Sequence, residues 1–335
     1  MGTDLSEIVE SEEISFDHLF NKKLAIDTFN VLYQFLSIIR QRDGTPLKDS
    51  KGRITSHLSG LFYRTSNWVE KGIQPVFIYD GKAPDLKSGE AAERRKRREK
   101  AEEEWKKLKE EGKLKKAYTK ATQSSKLDED MIKESKKLLN KMGIPYIQAP
   151  SEGEAQASWM NRKGKVYAVG SQDYDAIIFN CKRLVKNLGV TGKRKIQGKQ
   201  AYKKVVPEEI VTQKVLDDLD LPHEKLIWIS ILIGTDFNPG GINGVGPKTA
   251  LKLVRKYESF DDLLEDDKVK WENEKDPYKI LEFIKNPPVD KEASFEFKDP
   301  DESSIKDFLC EEHDFSEKRV SSSLEKLVKA RKESQ

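Results

Sequence analysis

The sequence contains little cysteine and no long apolar run. Its two cysteines, Cys181 and Cys310, are too few for a disulfide framework and lack the paired spacing of a zinc site. No stretch approaches the roughly 18 consecutive apolar residues of a membrane span, and the opening MGTDLSEIVESEE is acidic rather than signal-like. These absences argue against a disulfide-rich secreted scaffold and against a membrane protein. We therefore expect a soluble, intracellular protein with no membrane partner.

The net charge by itself excludes few classes of function. Lys and Arg total 61 against 58 Asp and Glu, and a net charge of +3 is too small to indicate a nucleic-acid-binding protein. The charged fraction of 36% with only 4 Met is typical of heat-adapted proteins, although long charged helices give the same composition. The information lies in where each sign of charge stands along the chain.

Short apolar runs that lead into acidic residues predict buried strands. Three of them are Leu24–Ile26 before Asp27, Val76–Tyr79 before Asp80, and Val166–Val169 before the segment SQDYD. A fourth run, IPYI at 144–147, precedes Glu152 and Glu154. Helical patterns at 31–40 and 57–71 lie between these runs, which indicates an α/β fold with a mostly parallel central sheet flanked by helices.

The segment 82–137 interrupts this alternation. It contains GEAAERRKRREKAEEEWKKLKEEGKLKKA, which is strongly helix-forming, with Gly112 as a break and few apolar positions to bury. We expect it to project from the body. Further on, 190–204 predicts a basic β-hairpin, 225–233 a helix, and 286–300 a polar connection before amphipathic C-terminal helices. The predicted division is 1–81, 82–137, 138–285 and 286–335.

Seven acidic residues follow the predicted strands or a helix. Ligands of open α/β sheets lie at the carboxyl ends of the strands, so these side chains are expected to converge. Carboxylates suit Mg²⁺ and Mn²⁺, and two ions about 4 Å apart activate water and stabilise a leaving oxygen. The candidate metal ligands are Asp27, Asp80, Glu152, Glu154, Asp173, Asp175 and Asp236.

Each acid also has a purely structural interpretation. Glu154 follows Ser151 at capping-box spacing, Asp80 with Gly81 is a turn dipeptide, and Asp175 suits a helix cap before Ala176. Packed together without a cation, however, such acids repel one another and their pKa values rise. The joint pattern therefore favours a metal site.

Two further segments suit DNA. GINGVGPKTA at 241–250 resembles a helix-hairpin-helix turn, where small residues and a helix N-terminus with Lys248 and Thr249 approach a phosphate. The alternative is an ordinary Gly-rich helix connection. In the charged segment, Lys87 and Arg94 are seven residues apart, which predicts one helix face that Arg97 and Arg98 extend toward a phosphate or a threaded strand. The alternative, a solvated face, is preferred for Glu102–Glu104.

A set of motifs in a fixed order identifies a family. The motifs are AIDTFN, TSHL-x-G-x-FYRT, DGKAPDLKSGE, MGIPY, APSEGEA, SQDYD and GTDF followed by GINGVGPK. From Gly2 to about Lys329, the chain resembles the flap endonuclease family of structure-specific 5′ nucleases, in its archaeal and eukaryotic branch. The resemblance implies a PIN-like core with a helical arch and a helix-two-turn-helix region at about 234–257.

The resemblance also implies an activity and roles for residues. The family removes 5′ flaps from branched DNA that carries a one-nucleotide 3′ flap, by two-metal hydrolysis, with associated 5′–3′ exonuclease activity, in replication and repair. The seven acids match its ligands for two Mg²⁺, which Mn²⁺ can replace. Lys87 and Arg94 match the pair that engages the scissile phosphate, and Tyr33 matches the aromatic residue that stacks on a base. The turn with Gly244 and Gly246 matches the duplex-binding element, which often holds K⁺.

Two features depart from the family pattern, and rival functions stay open. The opening MGTDLSEIV diverges after Gly2, and the chain ends in KARKESQ rather than the usual sliding-clamp peptide, so a PCNA-type clamp partner rests on family membership alone. The 3′-flap pocket is expected near Thr55 and the C-terminal helices.

Rival functions are a mainly exonucleolytic 5′ nuclease, a metal-dependent ribonuclease and a non-catalytic junction-binding scaffold. We expect an intracellular location, in the cytoplasm if the source is archaeal and in the nucleus if it is eukaryotic.

Overall fold

A computed structural model describes residues 3–87, 90–189, 192–195 and 202–333. Its strands are β1 Glu12–Glu13, β2 Lys23–Asp27, β3 Gln74–Tyr79, β4 Tyr146–Gln148, β5 Ala168–Gly170, β6 Arg183–Lys186, β7 Gly192–Lys195, β8 Tyr202–Val205 and β9 Glu208–Val211.

The α-helices cover most of the remaining described chain. They are α1 Thr28–Ile38, α2 Ser56–Glu70, α3 Glu90–Glu110, α4 Leu114–Gln123, α5 Glu129–Lys141, α6 Gly153–Arg162, α7 Asp175–Ile178, α8 Thr212–Leu219, α9 His223–Ile233, α10 Pro247–Val254, α11 Phe260–Leu264, α12 Pro277–Lys285, α13 Glu302–Lys306 and α14 Glu317–Glu333.

The main sheet has seven strands in the order β1-β9-β6-β5-β2-β3-β4. β2 pairs in parallel with both β3 and β5, and β4 and β6 extend the parallel part. β9 and β1 close one edge as antiparallel strands. The chain leaves β2 toward β3 and later returns on its other side at β5, which makes the carboxyl end of β2 a topological switch point. The predicted mostly parallel α/β sheet is confirmed.

Both faces of this sheet are buried, which explains the unbroken apolar character of the strands. Successive side chains of a strand point to opposite faces. Leu24 and Ile26 of β2 accordingly lie in one core with Phe77 of β3, and Ala25 lies in the other core with Val76. The first core is covered by helices α1, α2, α5, α13 and α14, and the second by helices that include α6, α7, α9 and α10.

The predicted elements agree with the structure except at their ends. Helix α1 begins at Thr28, earlier than predicted, because the side chain of Asp27 accepts a hydrogen bond from the Asn30 backbone N–H and caps the helix. β4 begins two residues later than predicted because the Ile144 N–H bonds back to Leu139 O at the end of α5. The helix predicted at 225–233 and the strandless connection at 286–300 are observed.

The charged segment forms a helical hairpin of α3 and α4 that turns at Gly112. It does not simply project, because Trp105 donates a hydrogen bond from Nε1 to Asp43 O and Tyr118 donates one to Ile38 O. Ala117 and Ala121 are buried in this contact. The third helix, α5, packs in the core through Leu138 and Leu139, and the predicted boundary at 137 falls inside it.

The basic hairpin predicted at 190–204 is present in its described part. β7 and β8 pair as an antiparallel two-stranded sheet, and residues 190, 191 and 196–201 lie outside the described residues. None of the helices in the described part of the chain has the length and apolar character that crossing a bilayer requires.

Helices α1 and α2 approach closely at Gly60, and this contact predicts the effect of a methyl group. A Cβ on Gly60 would stand 2.2 Å from Cγ of Phe35, which is fully buried. Alanine favours a helix over glycine by about 1 kcal/mol, but overpacking costs about 1–3 kcal/mol. We therefore expect Gly60→Ala to lower the free energy of unfolding, measured by urea denaturation. Ser59→Ala, one position away, is the control and should change it by less than about 0.5 kcal/mol. A stabilised Gly60→Ala would contradict this packing.

Candidate active site

All seven predicted acids line one cleft at the carboxyl edge of the sheet. The cleft has a volume of about 790 Å³ and is walled by α1, α3 and the end of α4. The seven side chains come from four strand ends and one helix end, and they are Asp27, Asp80, Glu152, Glu154, Asp173, Asp175 and Asp236. The sheet therefore brings together acids that are as far apart in sequence as Asp27 and Asp236.

Asp27 and Asp80 follow the adjacent strands β2 and β3. Asp27 is the last residue of β2, and the Asn30 N–H donates to its Oδ1 over 3.1 Å. Asp80 Oδ1 accepts a hydrogen bond of 2.7 Å from the Gly153 N–H at the start of α6. A Cβ on Gly153 would stand 2.6 Å from that same oxygen, so the glycine allows the approach. Asp80 is thus tied to the next segment of the site rather than acting only as a turn residue.

Glu152 and Glu154 lie at the N-terminus of α6. The N-cap residue is Glu152, and the helix has no side-chain cap hydrogen bond, so the predicted Ser151 capping box does not form. Glu154 is in the first turn, where its Oε1 is buried without a hydrogen-bond partner. A structural capping role therefore does not account for Glu154.

Asp173 and Asp175 follow β5, and both are held by hydrogen bonds from distant residues. Asn30 Nδ2 donates to Asp173 Oδ2 over 3.1 Å, and the Thr3 backbone N–H donates to Asp175 Oδ1 over 2.9 Å. Asp175 is the first residue of α7, whose N-cap is Tyr174, so the predicted capping role of Asp175 is not what the structure shows. The acid instead faces the cleft.

Asp236 enters the cleft from the turn that follows α9. Lys87, at the end of the short 3₁₀ helix Asp85–Lys87, lies between two of the acids. Its Nζ is 2.7 Å from Glu152 Oε2 and 3.3 Å from Asp236 Oδ2. This ammonium is a cation contributed by the chain to the acid cluster.

The electrostatics of the cleft are dominated by burial of like charges. Burial raises the pKa of Asp27 well above its usual range, and the charge of Asp80 adds to the effect. Burial also raises the pKa of Glu154 well above normal, with repulsion from Asp175. The pKa of Asp175 is raised to about 7 by burial and by Asp236, against the Thr3 N–H, which lowers it.

Lys87 moderates this repulsion on its side of the cleft. Burial raises the pKa values of Asp80 and Glu152, and in both cases the Lys87 charge lowers them in part. Burial by itself lowers the pKa of Lys87, but Glu152 and Asp236 together outweigh it, and the pKa is raised. Lys87 therefore stays protonated at neutral pH.

The donor set fits divalent metal ions. Carboxylate oxygens are the ligands that hard cations prefer, and the unpartnered buried Oε1 of Glu154 lacks the hydrogen bond that a buried oxygen normally has. Within the described ranges, no three His, Cys, Asp or Glu side chains already form a closed ligand set. Mutual repulsion keeps carboxylates apart until a cation offsets it, so we expect ligand side chains to close in when metal binds.

The prediction that Lys87 and Arg94 share one helix face stays a prediction. Lys87 ends the short 3₁₀ helix Asp85–Lys87 and Arg94 belongs to α3, and residues 88–89 between these elements lie outside the described residues. The Lys87 N–H donates to Pro84 O over 2.9 Å and closes this 3₁₀ turn. The side chain of Arg94 lies outside the described residues.

The remaining predicted DNA contacts divide into two places. Tyr33, Arg97 and Arg98 line the same cleft as the acids, and the Arg98 guanidinium lies 5.2 Å from the centre of the Tyr33 ring. Lys248 and Thr249 lie in the first turn of α10, with Gly246 as its N-cap residue.

This second place, the turn before α10, is open to solvent. Gly244 and Gly246 are exposed, and nothing lies within 4 Å of the position of a Cβ at either residue. Lys248 Nζ is 3.7 Å from Glu7 Oε2, and its side chain is 72% exposed. The turn therefore has room and a cation for a phosphate.

Sequence reasoning missed three residues of the site. Asp4 lines the cleft, Thr3 holds Asp175 through its backbone, and Asn30 bridges Asp27 and Asp173. The spacing of Asn30, three residues after a strand-ending Asp, is that of an N-cap pair and was available in the sequence. The N-terminal segment offered no comparable signal. Thr3 contacts Asp175, which lies far along the chain, and local sequence patterns do not reveal such contacts.

Comparison with known proteins agrees with this architecture. Residues 3–101 match the XPG N-terminal domain, and residues 143–236 match the XPG I-region. Flap endonuclease 1 of Pyrococcus furiosus is 52% identical over 98% of this chain and 96% of its own length. The corresponding protein of Archaeoglobus fulgidus is 49% identical over 98% and 96%.

Solved structures agree as well. Flap endonuclease-1 from Methanococcus jannaschii superposes with a TM-score of 0.78 and 38% identity, with complete coverage of both chains. The catalytic core of Rad2 in complex with DNA substrate, at 23% identity and a TM-score of 0.69, shares the fold over 98% of this chain and 100% of its own.

The sheet, the acid-lined cleft and the two XPG matches define an XPG-type, divalent-metal-dependent nuclease. Within that class, the chain belongs to the flap endonuclease 1 family.

The raised pKa of Asp175 predicts how stability depends on pH when metal is removed. The carboxyl has a pKa of about 7 in the folded chain and an ordinary value of 3.8, so folding disfavours its ionised form. This destabilisation is absent below about pH 4, grows as the pH rises to 7 and is complete above it. In EDTA at pH 8, Asp175→Asn should therefore raise the free energy of unfolding by about 4 kcal/mol at most, because each pKa unit corresponds to about 1.4 kcal/mol.

Urea denaturation of both chains between pH 4 and pH 8 measures this effect. The advantage of Asp175→Asn should shrink toward pH 4, and Asp218→Asn, an exposed acid of α8, should show no such trend. Equal stability of Asp175→Asn and the parent chain at pH 8 would show that burial of this charge is not costly.

Proposed function

We propose that this chain removes 5′ flaps from branched DNA by hydrolysing a phosphodiester bond in the acid-lined cleft, with associated 5′–3′ exonuclease activity. The observation that carries the proposal is the convergence of all seven acids on one cleft, beside a lysine and under a helix rich in arginine. The relatives named above are flap endonucleases, and the neighbour Rad2 was solved with DNA substrate. Replication and repair are the processes that such an activity serves.

The proposed cofactor is a pair of Mg²⁺ ions, which Mn²⁺ can replace. The seven acids are the proposed ligands, some of them through water. When bound, the two ions activate the attacking water and neutralise charge on the phosphate and the leaving oxygen. The chain itself contributes orientation: the backbone N–H groups of Thr3, Asn30 and Gly153 each fix one carboxylate.

The proposed roles of the cationic residues follow from their positions. Lys87 is charged and lies beside the acid cluster, where an ammonium stabilises the negative charge that develops on the transferred phosphate. Arg94 is proposed to act beside it. Arg97 and Arg98 extend the positive wall of the cleft toward the strand that enters, and Tyr33 offers a ring for stacking.

The turn before α10 is proposed to hold duplex DNA away from the scissile bond. Lys248 and Thr249 lie at a helix N-terminus, and the exposed Gly244 and Gly246 leave space for a phosphate. A K⁺ ion coordinated by backbone carbonyls of this turn is proposed from family membership. A sliding clamp and a 3′-flap pocket near Thr55 rest on the same basis, as does the division of the chain into core, arch and C-terminal helices.

A flap cleavage assay tests the proposal directly. End-labelled DNA with a 5′ flap and a one-nucleotide 3′ flap is incubated with protein and Mg²⁺, beside single-stranded and blunt duplex DNA. We expect a cut about one nucleotide into the duplex that EDTA abolishes. Asp175→Ala and Asp27→Ala should each cleave more than about 100-fold more slowly, because each lacks a metal ligand. Both should still bind flap DNA, because neither substitution removes a phosphate contact.

The other outcomes of this assay separate the rival functions. A strong preference for blunt or recessed ends would favour an exonuclease, and binding without cutting would favour a junction-binding scaffold. Normal turnover of either Asp variant would contradict the assignment of the ligands.

Binding experiments test the turn before α10 separately from chemistry. Lys248→Ala should weaken binding of flap DNA of any sequence and reduce the slope of log K against log[salt] by about 1, because one phosphate contact is lost. Lys252→Ala, in the last turn of the same helix, is the matched control. Fluorescence anisotropy over a salt series measures both slopes, and an unchanged slope for Lys248→Ala would remove this residue from the interface.

A further inference from the structure

The ammonium of Lys87 is enclosed on three sides by the chain. Two sides are the carboxylates of Glu152 and Asp236, at 2.7 Å and 3.3 Å. The third is the ring of Phe237, whose centre lies 5.4 Å from Lys87 Nζ. A cation within about 6 Å of an aromatic ring is attracted by the negative face of the ring. Only 22% of the Lys87 side chain is exposed.

Phe237 itself is fixed by a rigid turn. It is 4% exposed and packs edge-on against Phe283, with ring centres 5.0 Å apart. Its backbone N–H donates to Thr235 Oγ1 over 3.0 Å, and that hydroxyl donates to Asn238 Oδ1 over 2.7 Å. Asn238 in turn donates to the Ile231 carbonyl of α9 over 2.7 Å. The turn after α9 therefore presents Asp236 and Phe237 to Lys87 in one fixed arrangement.

An ammonium has three N–H donors. Glu152 and Asp236 use at most two of them if each accepts one, and the aromatic face attracts the charge without needing a directed donor. One donor is then left for an oxygen in the cleft. A lysine held only by its flexible four-carbon stem would lose much conformational entropy on reaching the same position at the moment of reaction.

We propose that Phe237 is a positioning residue, which together with Glu152 and Asp236 forms a seat that holds the Lys87 ammonium ready for the scissile phosphate. The inference deepens the proposed function and rests on the role proposed there for Lys87. Phe237 carries no metal donor and its ring lies beside the lysine, so we expect its effect on cleavage to pass through Lys87. Glu152 and Asp236 then act on the lysine as well as on the metal ions.

A double-mutant cycle of Phe237→Leu and Lys87→Met tests the seat. Leucine keeps apolar bulk but has no aromatic face. In the parent chain, Phe237→Leu should lower the single-turnover cleavage rate about 3- to 30-fold, the range that loss of a cation–π contact predicts. In the Lys87→Met background, the same substitution should have almost no effect, because the cation is already gone. Phe237→Tyr, which keeps the ring, should restore most of the rate.

Two controls separate positioning from a general loss of structure. Phe283→Leu makes the same deletion in the other ring of this aromatic pair, whereas the ring beside the lysine is that of Phe237, and it should leave the rate within about twofold. Mn²⁺ affinity, measured by calorimetry without DNA, should be the same for Phe237→Leu and the parent chain. Thermal unfolding identifies any variant that has lost its fold.

Each outcome decides the proposal. Equal losses from Phe237→Leu with and without Lys87 would overturn it, since the ring would then act through packing. Weakened Mn²⁺ binding by Phe237→Leu would also overturn it, in favour of a role in shaping the metal site. A parent chain that does not cut flaps refutes the proposed function itself, and a normal rate for Lys87→Met refutes the role of the lysine before the seat is tested.

Discussion

Repulsion among buried carboxylates is the constraint on which the rest of this molecule depends. Burial raises the pKa values of five acids of the cleft, led by Asp27 and Glu154, so the folded chain holds charge where it is least stable. Single hydrogen bonds from Thr3, Asn30 and Gly153 offset part of this cost, and Lys87 offsets more. The negative charge of the cleft is therefore only partly compensated by the chain itself, and a divalent cation would offset the rest.

Such a site needs a scaffold that does not yield to the repulsion. The parallel strands β2, β3 and β5 are buried on both faces, and their backbone pairing fixes the spacing of the ends that carry Asp27, Asp80 and Asp173. An acid on a mobile loop would move away from its neighbours. Here Asp27, Asp80 and Asp173 repel one another but follow strands that are paired and buried on both faces. Helices α3 and α4, which are rich in basic residues, add positive charge.

The features that depend on the local order of residues, namely the strands and the acids that follow them, could be predicted from the sequence. Apolar runs followed by an acid predicted β2, β3 and the convergence of seven carboxylates, because strand burial and sheet edge follow from periodicity. Contacts between distant segments could not be predicted. These include the hydrogen bonds from Thr3 to Asp175, from Asn30 to Asp173 and from Trp105 to Asp43 O. The shared helix face of Lys87 and Arg94 stays a prediction, because residues 88–89 and the side chain of Arg94 lie outside the described residues.

The positive side of the cleft explains how a phosphodiester can enter among so many acids. Lys87 lies at the floor, and Arg97 and Arg98 line the wall. Arg98 already lies over the ring of Tyr33, at 5.2 Å. In the proposed function, a base that takes the place of Arg98 on this ring would stack there, because every base has a flat face suited to aromatic stacking. The displaced guanidinium would then lie beside the entering strand, so stacking and phosphate binding would be coupled at Arg98.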